Sequence, residues 1–312
     1  MGRVHVRALE QSPTIEVAGV IDPSSAARAA VAARGRSTYA TAEAFLADDH
    51  ADGVLVAAPS DQHPALVAAF AEAEMPVLCE KPLGVDPSDA VEATNAAVAS
   101  GTILQVGYWR RFVPELRRLR ERIWAGELGE IKHIACMQWD AEPPDPGFRA
   151  RSGGIAVDMG VHEFDQVSWL LDQEIGWVAA LSAGHSCSPL PPSDPDAATI
   201  LAQMSGGTTA TISLGRCFPY ADSCWVEVWG TRGYDRIPFM WDVAGEQVFL
   251  SAMAAQAEAF ARAIRTGVVD AAGGQEAIAA LRVAERVTKF LTDASGPAGS
   301  PAHASRALGI RP

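Results

Sequence analysis

Two short segments carry residue types suited to moving a proton. In Glu80-Lys81-Pro82 a lysine directly follows the apolar run 76–80 (PVLCE). At the carboxyl edge of a buried strand, where open α/β sheets bind ligands, such a lysine can hydrogen-bond a substrate hydroxyl, or shed its proton more readily when desolvated. The bland reading of the same residues is a solvated turn, and the proline also admits a cis bond. The second segment, SGGIAVDMGVHEFDQVSWLL, contains Asp158, His162 and Asp165. At helical spacing these three fall within about 60° of arc, beside an apolar stripe of Val157, Val161, Phe164 and Leu171. Histidine accepts a proton near neutral pH, and an adjacent carboxylate can orient a polyol or a lysine. His162-Glu163 invites comparison with the zinc motif H-E-x-x-H, but the fifth position is Gln166, so no metal site is expected.

These residues need a strand mouth and a facing helix to bring them together. Over the first hundred residues, apolar β-type runs at 15–21, 53–58, 76–80 and 102–106 alternate with Ala-rich stretches, the pattern of a parallel sheet with helical crossovers. Ser60 is expected to cap one helix and Asp86-Pro87 to start another. Beyond Tyr108 a basic stretch leads to a strand at 131–139, a Pro-rich loop and a helix at about 157–171. Runs at 177–184, 198–204, 208–215 and 225–230 then read as strands, and segments near 254–264 and 275–291 as closing helices. That order predicts an α+β domain with a largely antiparallel sheet. The expected division is 1–107, 108–294 and a loose tail at 295–312.

Nucleotide-binding sheets normally open with a strand and G-x-G-x-x-G. This sequence starts at Met1-Gly2 with helical RVHVRALEQ, and its next strand runs into Asp22, where a carboxylate can meet an adenosine ribose. The pattern is that of a Rossmann unit lacking its first strand, and a misplaced start or a fragment is the expected cause.

The chain has 312 residues, enough for two domains, with 48% hydrophobic and 20% charged residues. A net charge of -13 disfavours nucleic acid and anionic membrane surfaces as partners. Five scattered cysteines, Cys79, Cys136, Cys187, Cys217 and Cys224, show no C-x-x-C pair, so reduced thiols and a cytoplasmic location are expected.

In order and spacing, Gly2-Arg3-Val4-His5, Ala58-Pro59-Ser60-Asp61-Gln62-His63, Glu80-Lys81-Pro82-Leu83-Gly84, Gly107-Tyr108-Trp109-Arg110-Arg111-Phe112, Gly153-Gly154 and Asp158-x-x-x-His162 resemble the Gfo/Idh/MocA oxidoreductases over nearly the whole chain, most closely the inositol 2-dehydrogenase branch. The resemblance implies a Rossmann domain joined to an α+β domain whose open sheet forms a homo-oligomer, dimer or tetramer. It implies a hydride exchanged between a cyclic polyol or sugar and NAD, with NADP as the alternative. Lys81, Asp158 and His162 would be catalytic, His162 as the base. Met1, Gly2, Asp22, Pro59, Ser60, His63, Glu80 and Lys81 would meet the cofactor, and Trp109, Arg110, Asp158, His162 and Asp165 the substrate. Asp22-Pro23-Ser24, without an adjacent Arg, favours NAD. The segment 217–222 departs from the Y-G-Y-D-like sequence of the inositol enzymes, which puts the substrate and any role of Tyr220 in question. The competing readings are a sugar or anhydrosugar dehydrogenase or reductase, and a non-catalytic cofactor-binding homologue.

Overall fold

The computed structural model describes residues 1–10, 12–48, 51–183, 194–240 and 244–293. The chain opens with helix α1 (Gly2–Leu9), followed by β1 (Gly19–Ile21), α2 (Ser25–Ala32), β2 (Ser37–Tyr39), α3 (Ala42–Leu46), β3 (Val54–Val56), α4 (His63–Glu72), β4 (Val77–Cys79), α5 (Pro87–Ser100) and β5 (Leu104–Val106). All pairings here are parallel, as βαβ crossovers require, with Val54 opposite Val77 and Val77 opposite Leu104.

The parallel strands form two pieces, β1–β2 and β3–β4–β5. The central β4 is fully buried, whereas β1 is only half-buried. Only Gly19–Ile21 of the expected 15–21 run is regular strand, because β1 pairs on one side alone. Ser60 does not cap α4. It begins a 3-10 turn (Ser60–Gln62), and α4 starts at His63 with a proline in its first turn. The Asp86 side chain does cap α5, accepting from Ser88 N.

The second half contains α6 (Pro114–Trp124), β6 (Ile131–Trp139), α7 (Pro146–Arg149), α8 (Val161–Leu171), β7 (Ile175–Ser182), β8 (Ala197–Met204), β9 (Thr209–Gly215), β10 (Ser223–Gly230) and β11 (Tyr234–Met240). Its six-stranded sheet has the order β11-β10-β6-β9-β8-β7, antiparallel except for β6–β9. Strand β11 is missing from the sequence reading because Pro238 interrupts its pattern. As an edge strand it tolerates the lost amide.

The closing helices α9 (Ala244–Thr266) and α10 (Gly274–Asp293) serve both halves. Gln105 donates to the Gln256 carbonyl, Val106 N to the Ala272 carbonyl, and Leu78 packs with Ala257 and Phe260. The chain thus recrosses the expected boundary at 107. The expected tail and Cys187 lie outside the described residues. Cys79, Cys136 and Cys224 are free and buried, but Cys217 is disulfide-bonded, which corrects the expectation of wholly reduced thiols; spacing in sequence does not report proximity in space. Among the described residues no helix is long and apolar enough to cross a membrane.

Candidate active site

Lys81 leaves the carboxyl end of the buried strand β4 through a cis Lys81–Pro82 bond. His63 braces this loop, its ring nitrogens 2.7 Å from the Pro82 carbonyl and 2.9 Å from the Ala58 carbonyl. Glu80 is buried behind it, accepting from His5 at 2.7 Å and from Lys81 N at 3.2 Å. Burial pushes the Glu80 carboxyl up, but the His5 hydrogen bond and the neighbouring charges, Lys81 among them, outweigh it and hold it below its usual range. His63 and Glu80, both expected at the cofactor, therefore have partners that shape the lysine loop.

The facing element is not one regular helix. Residues Ala156–Gly160 form a π turn that runs into α8, and such turns are frequent at functional sites. Gly153 and Gly154 enter it at φ 79° and 83°, and a Cβ on Gly153 would lie 2.9 Å from Val157. Both Asp158 and His162 are buried, and α8 is buried on nearly every side.

Lys81 Nζ donates to the Asp158 carbonyl at 2.6 Å and lies 3.6 Å from Asp158 Oδ1. His162 packs edge-on against Tyr108 and Trp109, and its Nδ1 is buried without a partner. Burial, then the charges of Lys81 and Arg110, push the His162 imidazole well below its ordinary range. It is neutral at physiological pH and able to accept a proton.

Trp109 lies beside His162, but the other two residues expected at the substrate do not offer free charges. Arg110 is wholly buried, with Nη1 2.5 Å from Glu163 and Nη2 2.8 Å from Gln138. Asp165 is held bidentately by Arg111 at 2.5 and 3.0 Å. Ion pairing explains both departures, since buried charges need partners and these lie on the neighbouring elements. Asp140, absent from the sequence reading, has its carboxyl raised to about 6 by burial and by the nearby Asp222 and Asp158. Arg216 was also absent, and it donates to Asp158 Oδ2 at 3.1 Å. Strand parity signals it. Ala210, Ile212 and Leu214 of β9 face the core, and Arg216 continues the same face.

On the nucleotide side, α1 has no side-chain cap, and a Cβ on Gly2 would meet nothing within 4 Å; Val4 N and His5 N donate to the Met1 carbonyl, which leaves the Gly2 and Arg3 amides for a pyrophosphate. Asp22 stands at the end of β1, its Oδ1 accepting from Ser24 N at 2.8 Å. An arginine does approach it, contrary to the sequence reading: Arg28 Nη1 donates to the Asp22 carbonyl at 2.6 Å from one helical turn along α2. Pro59 and Ser60 lead from β3 into the turn beside this mouth. These groups fit a dinucleotide. Among the described residues no cluster of His, Cys, Asp and Glu suits a metal.

Residues 1–108 match the model of the oxidoreductase family with an NAD-binding Rossmann fold, and residues 116–234 match the GFO/IDH/MocA C-terminal domain. The rhizopine catabolism protein MocA of Rhizobium meliloti is 44% identical over 94% of this chain and 92% of its own length. An inositol 2-dehydrogenase of Rhizobium meliloti (strain 1021) is 28% identical over 94% of both chains. A solved myo-inositol dehydrogenase from Corynebacterium glutamicum ATCC 13032 superposes with a TM-score of 0.85 over 95% of this chain and 96% of its own, at 22% identity, which speaks for the fold. With both halves matched, the chain belongs to the Gfo/Idh/MocA family of oxidoreductases.

Proposed function

We infer that this protein is an NAD-dependent dehydrogenase of cyclic polyols, oxidising a ring carbinol to a ketone. The observation that carries the reading is the convergence of Lys81, Asp158 and a neutral His162 with no partner on Nδ1 at the mouth of a dinucleotide-binding sheet. NAD supplies the hydride acceptor. His162, held neutral by burial and by nearby cations, takes the hydroxyl proton. The Lys81 ammonium stabilises the oxygen as negative charge grows on it, in a site where Tyr108 and Trp109 exclude water. Asp158 balances that ammonium and accepts from a neighbouring substrate hydroxyl. The relatives named as inositol dehydrogenases support a cyclitol over a pyranose.

The outward face of the six-stranded sheet exposes Trp177, Leu181, Leu201 and Tyr234, and a second copy of the chain suits it. Reliance on the dinucleotide pool favours a cytoplasmic location. The test is NADH formation across inositols, inosamines, aldoses and levoglucosan, with Lys81→Met and His162→Gln beside the parent. Each variant is expected to lose at least about a hundredfold in kcat. Near-parental turnover in both folded variants refutes the site.

A further inference from the structure

Behind Asp158 lies a chain of buried charges that the reaction described above does not use. Arg216 Nη2 donates to Asp158 Oδ2 at 3.1 Å, and its Nη1 lies 3.1 Å from the Asp194 carboxylate. Arg149 in turn donates to Asp194 Oδ2 at 2.6 Å and to Asp196 Oδ1 at 3.1 Å. The Arg216 and Arg149 side chains are 0% and 1% exposed. With Lys81 the group holds three cations and three carboxylates, and Asp158 is the member that meets Lys81.

The backbone aims Arg216 at this point. Gly215 closes β9 against the Trp139 ring, where a Cβ would lie 2.3 Å from the indole, and Arg216 N donates to the Asp196 carbonyl at 2.8 Å. The next residue, Cys217, has φ 70°, a left-handed conformation that turns the chain away once the arginine is placed. The π turn meets the same strand end, since a Cβ on Gly160 would lie 3.4 Å from Leu214.

We propose that Arg216 is a positioning residue of the dehydrogenase reaction: by anchoring one oxygen of Asp158 it leaves the other facing Lys81, and so fixes the ammonium that meets the reacting oxygen. Removing a buried arginine strips the carboxylate of one of its two cations, and Asp158 then competes with substrate for Lys81. Asp194, Arg149 and Asp196 hold Arg216 from behind.

The inference rests on the polyol dehydrogenase reading, and the experiment separates the two. Parent, Arg216→Met, Arg216→Lys and Arg149→Met are compared for melting temperature, NAD affinity, kcat and KM with the best cyclitol of the panel, and the kinetic isotope effect with that cyclitol deuterated at the reacting carbon. Arg216→Met is expected to lower kcat about fiftyfold, keep NAD affinity within twofold, and raise the isotope effect because hydride transfer becomes limiting. Arg216→Lys restores part of kcat, to within about tenfold of the parent, since an ammonium replaces one of the two contacts. Arg149→Met, which breaks the same network one link away, lowers the melting temperature with kcat within about threefold. A folded Arg216→Met with kcat and isotope effect like the parent overturns the inference alone; should that variant not fold, an Arg216→Lys indistinguishable from the parent does so. A parent that binds NAD and oxidises no member of the panel overturns the functional reading and this inference together.

Discussion

Replacing Arg110 by Met tests whether this arginine, expected from the sequence to contact substrate, instead holds the interior together. Its guanidinium is 2.5 Å from Glu163 Oε1 and 2.8 Å from Gln138 Oε1, with Arg110 and Glu163 side chains 2% and 0% exposed. Burial pushes the Glu163 carboxyl up and Arg110 pulls it back. Without the arginine, burial is opposed only by the neutral Cys136 and Gln166 donors. Breaking one partner out of such a pair costs about 3–5 kcal/mol. At roughly 2–4 °C per kcal/mol, the melting temperature should fall by about 10 °C near pH 7.5.

The sign of the pH dependence follows. A carboxyl raised in the folded state binds more protons there than in the unfolded chain, so its stability is fully present below the ordinary glutamate range and lost as pH rises through the folded value. The deficit of Arg110→Met should therefore shrink on acidification, by up to about 1.4 kcal/mol per pH unit. Arg110→Met/Glu163→Met, which removes both charges, should recover most of the loss. Thermal melts of parent, single and double variants at pH 7.5 and 5.5 read all three effects. A single variant melting within about 2 °C of the parent, or a double variant no better than the single, refutes the interior role.

Asp22→Ala should shift the NAD:NADP affinity ratio at least about tenfold towards NADP, because Arg28 stays at that edge while the carboxylate that repels a 2′-phosphate is gone; an unchanged ratio in fluorescence titrations counts against Asp22 as the selector. Asp140→Asn should stabilise the protein near pH 7.5 by about 1–3 kcal/mol and leave it unchanged near pH 4, since a carboxyl raised to about 6 loses folded-state stability as pH rises through that value. Equal denaturation midpoints at both pH values would sink it. Leu201→Asp on the outward face of β8 should lower the mass measured by light scattering without changing the melt of the single subunit, and an unaltered mass removes that face from the interface.

Residues whose environment is set locally were legible. The Asp86-Pro87 helix start, strand β4 ahead of Lys81 and the alternating strands β7 to β10 follow from capping, burial and period-two patterning. What escaped depends on contacts distant in sequence. Asp165 reads as a substrate contact and Glu163 has no assigned role until Arg110 and Arg111 are placed against them. The Asp158 carboxylate gives no hint of its partner, because Arg216 lies 58 positions away. Only strand parity marked that arginine, and parity indicates that a charge is buried without indicating what meets it.

The electrostatics of the site explain why so many ion pairs surround one histidine. Burial holds His162 neutral and Lys81 depresses it further, and the same cation must stabilise negative charge on the substrate oxygen, so it disfavours protonation of the base before the reaction and balances the alkoxide during it. A second uncompensated cation would weaken that arrangement by competing for the alkoxide, and Arg110, also close enough to depress His162, has its charge balanced by Glu163. Asp158 cannot be left to swing, because a carboxylate free to follow Lys81 would neutralise it. Backbone and side chain together prevent this: the Asp158 carbonyl fixes Lys81 Nζ at 2.6 Å while the carboxylate stays a looser 3.6 Å away, restrained from behind by Arg216. The geometry thus leaves a lysine held in place but not fully quenched, which is the state a developing oxyanion requires.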